Sequence, residues 1–477
     1  MSKKAKVIAV VGSGGKTTYI KHKAQENVAT GNNVFVTTTT HMYVEEDTAL
    51  TNEVDLLIQE LESKGYLMTG VRDGGKIKEL PKEIYDRVCN HADIVLVEAD
   101  GSKHLPIKFP AEHEPVIPEN VDEIVVVCGL QAIGKPLAEV SHRAELVKKC
   151  LRATDDTIIN AAHIQKLLRE GYLKPMKEKY PEKNIKVKAV HDNTLYQKVI
   201  SRLLEADMEV SLVKEEWFKT QPTLVICGGG HVSCELVKMA SCLDFKVKVI
   251  DDREEFANKD RFPTADEVIC DSFKNLEKYL VADGYYAVIT RGHKDDLTCV
   301  RTILKHSYEY LGMIGSKSKI NTTYENLKKE GVQEEAIKTI YAPIGLNIGG
   351  RTPAEIAVSI LAEIIQVKNK KSSSFISREM SAINENGTLC IIVDKKGSSP
   401  RGEGSMMFVT DSYTIDSIGG GAVEYAAIED ARNSKKKVFV KEYDLHNRTT
   451  ENLGMICGGI NKVLFIALEK EERVEIE

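Results

Sequence analysis

The segment Gly12-Ser13-Gly14-Gly15-Lys16-Thr17-Thr18 follows the apolar run Val7–Val11 and precedes a helical stretch over Tyr19–Ala29. Between a strand and a helix, glycines such as Gly12, Gly14 and Gly15 let backbone N–H groups turn toward phosphate oxygens. Lys16 offers a charge to the terminal phosphates, the Thr17 hydroxyl is a candidate Mg²⁺ ligand, and Thr18 completes the candidate nucleotide-binding set. The usual spacing of such a loop puts a glycine about five residues before the Gly of Gly-Lys. That position is Val10 here, so the loop is shortened or rearranged. The alternative is a tight strand–helix turn with a surface lysine. Further along, the apolar run Ile94–Val97 ends in Glu98-Ala99-Asp100-Gly101. Carboxylates at the carboxyl end of a parallel strand fall where a metal sits beside a phosphate loop. Asp100 or Glu98 is therefore a candidate to hold the metal or to orient a water, against a solvated acidic turn. Thr37–Thr40 end another strand pattern at the same edge.

A second loop, Gly228-Gly229-Gly230-His231-Val232-Ser233, follows the run Thr223–Cys227 and fits Gly-x-Gly-x-x-small. Asp251 lies about twenty residues on, at the end of the next strand pattern, where a ribose-binding carboxylate belongs. Gly228, Gly230 and Asp251 thus mark a dinucleotide-type site, with NAD(P) as a candidate ligand. His293, after the strand pattern that ends at Thr290, is a candidate acid–base group or a structural loop histidine. In the last quarter, Arg401 stands among glycines and suits planar phosphate binding. Gly419, Gly420 and Gly421 precede a helical stretch. Cys457 is either a soft metal ligand or a small core residue.

These residues need strands ending at a common edge and helices starting there. Apolar runs separated by helical patterns predict parallel sheets with crossover helices. The chain divides into 1–215, a P-loop-like parallel-sheet domain, 222–368, a Rossmann domain, and 375–468, a smaller α/β module. The polar stretch 368–374 reads as a linker. Ten cysteines without a Cys-x-x-Cys pair argue against a zinc knuckle or a disulfide framework. A net charge of −6 argues against nucleic acid as the main partner. No apolar run approaches the roughly 20 residues of a membrane span, and Val7–Val11 is too short for a signal-peptide core. A cytoplasmic location is the expectation.

Gly14–Thr18, Thr37–Thr40, Val97–Gly101 and Cys128–Leu137 resemble the YqeC family, associated with accessory functions for selenium-dependent molybdenum hydroxylases. The second loop, with Thr290–Asp296 and Gly312–Lys317, resembles the Rossmann domain of the XdhC family. Gly397–Gly402, Ile418–Glu424 and Cys457–Gly459 resemble its XdhC/CoxI module, which here follows the Rossmann domain rather than preceding it. The resemblance implies a maturation factor that binds a molybdenum (pterin) cofactor, sulfurated or selenated. It would assist loading into a xanthine dehydrogenase-like hydroxylase, with a sulfur or selenium donor as a further partner. A Mg-nucleotide, ATP or GTP, would bind the first domain, whose NTPase activity stays open. An NAD(P)-dependent oxidoreductase and an NTP-dependent regulatory switch are the competing classes.

Overall fold

The computed structural model describes residues 4–370, 375–397, 401–444 and 459–470. The chain forms two compact units, Met1–Glu215 together with Ile383–Glu477, and Glu216–Ala382.

The first part of the chain builds a seven-stranded sheet. Its strands are β1 (Lys6–Ser13), β2 (Val34–Thr38), β3 (Thr48–Ala49), β4 (Tyr66–Thr69), β5 (Ile94–Glu98), β6 (Glu123–Gly129) and β7 (Asn184–Val190). They lie in the order β7-β6-β1-β5-β2-β4-β3, every pairing parallel. β1 and β6 are nearly continuous apolar runs, as central strands covered on both faces require. Alternate residues feed opposite cores. Val7, Val95 and Val97 pack on one face with Leu57 and Leu61, while Ile8, Val10 and Leu96 pack on the other with Ile20 and Ala24 of helix α1 (Lys16–Ala29). This topology puts Gly12 and the end of β1 between the ends of β5 and β6, so carboxylates after β5 land beside the loop.

Residues Glu216–Ala382 hold a five-stranded parallel sheet of β8 (Thr223–Cys227), β9 (Lys246–Asp251), β10 (Glu267–Cys270), β11 (Gly284–Val288) and β12 (Tyr308–Met313). The order β10-β9-β8-β11-β12 is doubly wound, with the direction of winding reversing at β8 and β11. Leu224 and Ile226 face α2 (His231–Cys242) and α4 (Pro353–Lys370), whereas Val225 and Cys227 face α3 (His293–Ile303). The apolar pattern suggests that β11 runs to Thr290. It stops at Val288, and the Thr290 hydroxyl turns to donate to Asp296 at 2.6 Å.

The last sheet differs in kind. Strands β13 (Gly387–Gly397), β14 (Met406–Val409), β15 (Thr414–Asp416), β16 (Val438–Asp444) and β17 (Gly459–Leu468) lie in the order β15-β14-β13-β17-β16, all antiparallel. Helix α5 (Gly421–Asn433) covers one face through Val423, Ala427 and Ala431 against Cys390, Met407 and Phe465. Arg202 pairs with Glu469 at 3.1 Å, which ties this module to the first sheet's last helix. No helix among the described residues is long and apolar enough to cross a membrane.

Candidate functional site

The first glycine loop is shaped by β6. Gly12 has φ +94°, and a Cβ there would lie 2.1 Å from the Val127 carbonyl oxygen, so only glycine fits. The chain then enters α1 with no side-chain cap on its first turn. Its N–H groups and dipole therefore face the loop's concavity, the arrangement that holds an anion. Lys16 is the first residue of α1 and is buried. Its Nζ donates to the Gly12 carbonyl at 2.9 Å and to Ser102 Oγ at 3.1 Å, and lies 3.8 Å from Glu98. Thr17 Oγ1 donates to Glu98 Oε2 at 3.4 Å.

Lys16 and Glu98 are both buried. Burial lowers the Lys16 pKa, with Glu98 pulling it back, and burial raises the Glu98 pKa against Lys16 and Thr17. An ammonium short of full compensation, beside uncapped N–H groups, favours an incoming polyanion. A hydroxyl and a carboxylate in contact supply the hard oxygen ligands that Mg²⁺ takes.

The two carboxylates after β5 take different places. Glu98 lines the cleft at the loop, whereas Asp100 is fully buried behind it. Asp100 accepts from the Gly12 N–H at 3.1 Å and Tyr172 Oη at 2.7 Å, and it is ion-paired with buried Lys108. Lys108 also donates to Glu114 at 2.8 Å, and Arg143 donates to Glu114 at 2.8 Å. Asp100 thus holds the loop in shape, and Glu98 is the carboxylate beside Thr17. Thr38 donates to the Glu98 carbonyl at 2.7 Å and fixes the end of β5.

The cleft has a volume of about 500 Å³. Gly14, Gly15, Lys16, Thr17 and Glu98 line one wall. The other wall includes Tyr43, Lys76, Lys103, His104, His142 and Arg143, none of which the sequence motifs pick out. The one available signal was the pair Lys103-His104 directly after Val97–Ser102; the rest converge from distant elements. A second hollow of about 580 Å³, between the helices Val54–Lys64 and Lys82–Cys89, is bordered by the exposed pairs Arg87–Asp55 and His91–Glu62 and contains no glycine-loop residue.

The second glycine loop repeats the support of the first. Gly228 has φ +111°, and a Cβ there would lie 2.3 Å from the Ile289 carbonyl oxygen. Ser233 Oγ donates to the Gly228 carbonyl at 2.6 Å, and Gly230 starts α2 without a side-chain cap. Asp251 is buried and accepts from the Gly229 N–H at 2.7 Å. Arg253 grips both of its oxygens, with Nε and Nη2 each at 2.9 Å. Burial alone would raise the Asp251 pKa, but Arg253 and Gly229 outweigh it and hold it below the ordinary range. Arg253 in turn lies over the Phe256 ring at 3.7 Å. His293 starts α3 at the same carboxyl edge of the sheet. Asp296 behind it is buried between Thr290 and Lys319, and burial raises its pKa against both partners.

In the antiparallel module, Gly419, Gly420 and Gly421 form the turn into α5, but their concavity is filled by the protein itself. Glu424 Oε2 accepts from the N–H groups of Ile418 and Gly420 at 3.1 and 3.0 Å and from Ser417 Oγ at 2.6 Å. Arg401 is exposed, and Cys457 lies outside the described residues.

Family models match three stretches of the chain: a YqeC protein model over residues 8–145, an XdhC Rossmann domain model over 224–364, and an XdhC and CoxI family model over 382–444. Among relatives, the chain is similar to YqeB of Escherichia coli (strain K12), 34% identical over 150 residues, which are 31% of this chain and 28% of YqeB. It is similar to YqeC of the same organism, 29% identical over 185 residues, 35% of this chain and 69% of YqeC. A probable xanthine dehydrogenase subunit of Bacillus subtilis (strain 168) is 28% identical over 152 residues, 31% of this chain and 44% of that protein. The chain thus spans less than half of YqeB and of the B. subtilis protein. One chain therefore carries matches to the YqeC model, the XdhC Rossmann domain model and the XdhC and CoxI family model.

Proposed function

We propose that the protein is an accessory factor for a molybdenum hydroxylase, and that it couples a Mg-nucleotide site in its first domain to handling of the molybdenum cofactor in the remainder. The observation that carries this reading is the joining of the YqeC-type and XdhC-type segments, together with a relative that is itself a probable xanthine dehydrogenase component.

In the first domain the uncapped turn at Gly14–Thr17 receives phosphate oxygens and Lys16 neutralises them. Thr17 and Glu98 would hold the metal, which would supply charge neutralisation for the phosphates. Glu98 is freed for that role because Asp100, not Glu98, secures the loop. In the Rossmann domain the uncapped α2 at Gly230 is the anion cradle that fits a cofactor's phosphate. The cradle at Gly419–Gly421 fits less well, since Glu424 occupies its N–H groups.

Mass spectrometry of small molecules released from the full chain, purified without air, tests the reading. A nucleotide and a molybdopterin-type species are expected. A preparation that carries neither, and that takes up neither when they are supplied, argues against it.

A further inference from the structure

The part of the cleft wall outside the glycine loop carries more positive charge than its neighbours cancel. Three carboxylates line the cleft, and each is already matched: Glu45 by Lys21 at 2.8 Å, Glu98 by Lys16 at 3.8 Å, and Glu114 by both Lys108 and Arg143 at 2.8 Å. Lys76 and Lys103 also line it, and neither has an ion pair among the described residues. The Lys76 ammonium sits 4.5 Å over the ring of Tyr43, which stacks on His104 with centroids 5.1 Å apart. Tyr43 remains half-exposed.

Backbone conformation sets this wall apart as well. Lys103 and His104 are consecutive left-handed residues, at φ 48° and 62°, and Arg143 is a third at φ 60°. Side chains with a Cβ are held in this region only where the surroundings over-determine it, at a cost on the order of 1 kcal/mol or more each. For Arg143 the surroundings are visible, in Glu114. Lys103 and His104 are the central residues of a turn closed by the Leu105 N–H donating to the Ser102 carbonyl at 3.0 Å, and both line the cleft.

We propose that this wall binds a second ligand, a small molecule carrying a phosphate group, beside the nucleotide phosphates in the same cleft. Two unpaired ammonium groups act as point charges for a dianion of several oxygens. Half-exposed Tyr43 offers an aromatic contact to an attached group. The electrostatics of His142 agree: burial lowers its pKa first, and Lys108, Arg143 and Lys103 lower it further against Glu114.

The inference rests on reading the glycine loop as the nucleotide site, and the test separates the two. Inorganic phosphate is the probe, titrated by calorimetry into the full chain, both alone and with the loop saturated by a non-hydrolysable Mg-ATP analogue. Phosphate should bind in both cases. Lys103→Gln should weaken it by about tenfold, the scale of a charge-assisted contact, and Lys103→Arg should retain it. Lys76→Gln is the second variant should Lys103→Gln fold poorly. Bound phosphate should also raise the pKa of His142 in an NMR titration. If the analogue fails to bind while Lys103-dependent phosphate binding persists, the nucleotide reading falls and the phosphate wall stands. The inference is overturned if phosphate does not bind or ignores both lysine variants. Displacement of phosphate by the analogue, or an equal loss of analogue affinity in Lys103→Gln, overturns it too by showing that the wall serves the nucleotide.

Discussion

The two glycine loops share one construction and diverge in what they leave available. Each follows an inner strand of a parallel sheet. Each begins with a left-handed glycine pressed against a neighbouring carbonyl, Gly12 on Val127 and Gly228 on Ile289. Each is fastened by a buried carboxylate that accepts a loop N–H, Asp100 from Gly12 and Asp251 from Gly229. Each has a donor early in the helix returning to the first glycine's carbonyl, Lys16 at 2.9 Å and Ser233 at 2.6 Å. The divergence lies in that donor and in a second carboxylate. Lys16 is a cation facing Glu98 and Thr17 in a cleft. Ser233 is neutral, and Asp251 is clasped by Arg253. A glycine pattern therefore specifies a backbone shape, and the charged groups around it decide the ligand.

The largest expected effects test the shared construction. Gly12→Ala and Gly228→Ala each force a Cβ into a carbonyl oxygen and a left-handed φ on alanine. Each should cost about 4 kcal/mol or more and give a partly unfolded chain by circular dichroism. If either variant melts like the parent, the close approach at that loop is wrong.

Next come the two locks. Asp100→Ala leaves Lys108 buried with Glu114 as its remaining anion, so a loss of about 3–5 kcal/mol is expected in denaturant melts. Asp251→Ala should cost less, about 2 kcal/mol, because Arg253 is partly exposed and regains water. Equal losses would break the comparison.

A smaller effect separates the loops by pH. The folded pKa of Asp251 is depressed, so its contribution to stability is present above the ordinary aspartate pKa of roughly 4 and is lost as pH falls through the folded value below it. Arg253→Ala removes the main source of that depression. The acid transition of the Rossmann domain should then begin at higher pH, with little change near neutrality beyond a uniform loss. An unmoved acid limb would show that Arg253 is not what holds Asp251 ionised.

Much of this was legible in the sequence, because local chemistry set it. The runs Val7–Val11 and Thr223–Cys227 with the glycines after them defined strand, loop and helix at both sites. The roles of the carboxylates were not legible. Asp100 meets Gly12 across 88 residues and Tyr172 across 72, and no spacing rule connects them. Asp251 stands where a ribose ligand belongs, yet Arg253, two residues on, takes both its oxygens. Glu424 capping its own glycine turn was closer to view, since a first-turn acid often satisfies helix N–H groups. The antiparallel course of the last sheet was also hidden, because short apolar runs between glycines do not reveal strand direction.

The most direct test of the central claim, that the first loop rather than its shape-mate carries the nucleotide, is calorimetric titration of Mg-ATP and Mg-GTP into the full chain and its Lys16→Ala variant. Lys16 contacts the loop, Ser102 and Glu98, and Glu98 keeps the Thr17 hydroxyl as a partner when Lys16 is removed. The fold should therefore persist, with affinity for one of the two nucleotides falling by about tenfold or more. Nucleotide binding that is unchanged in Lys16→Ala would contradict the account.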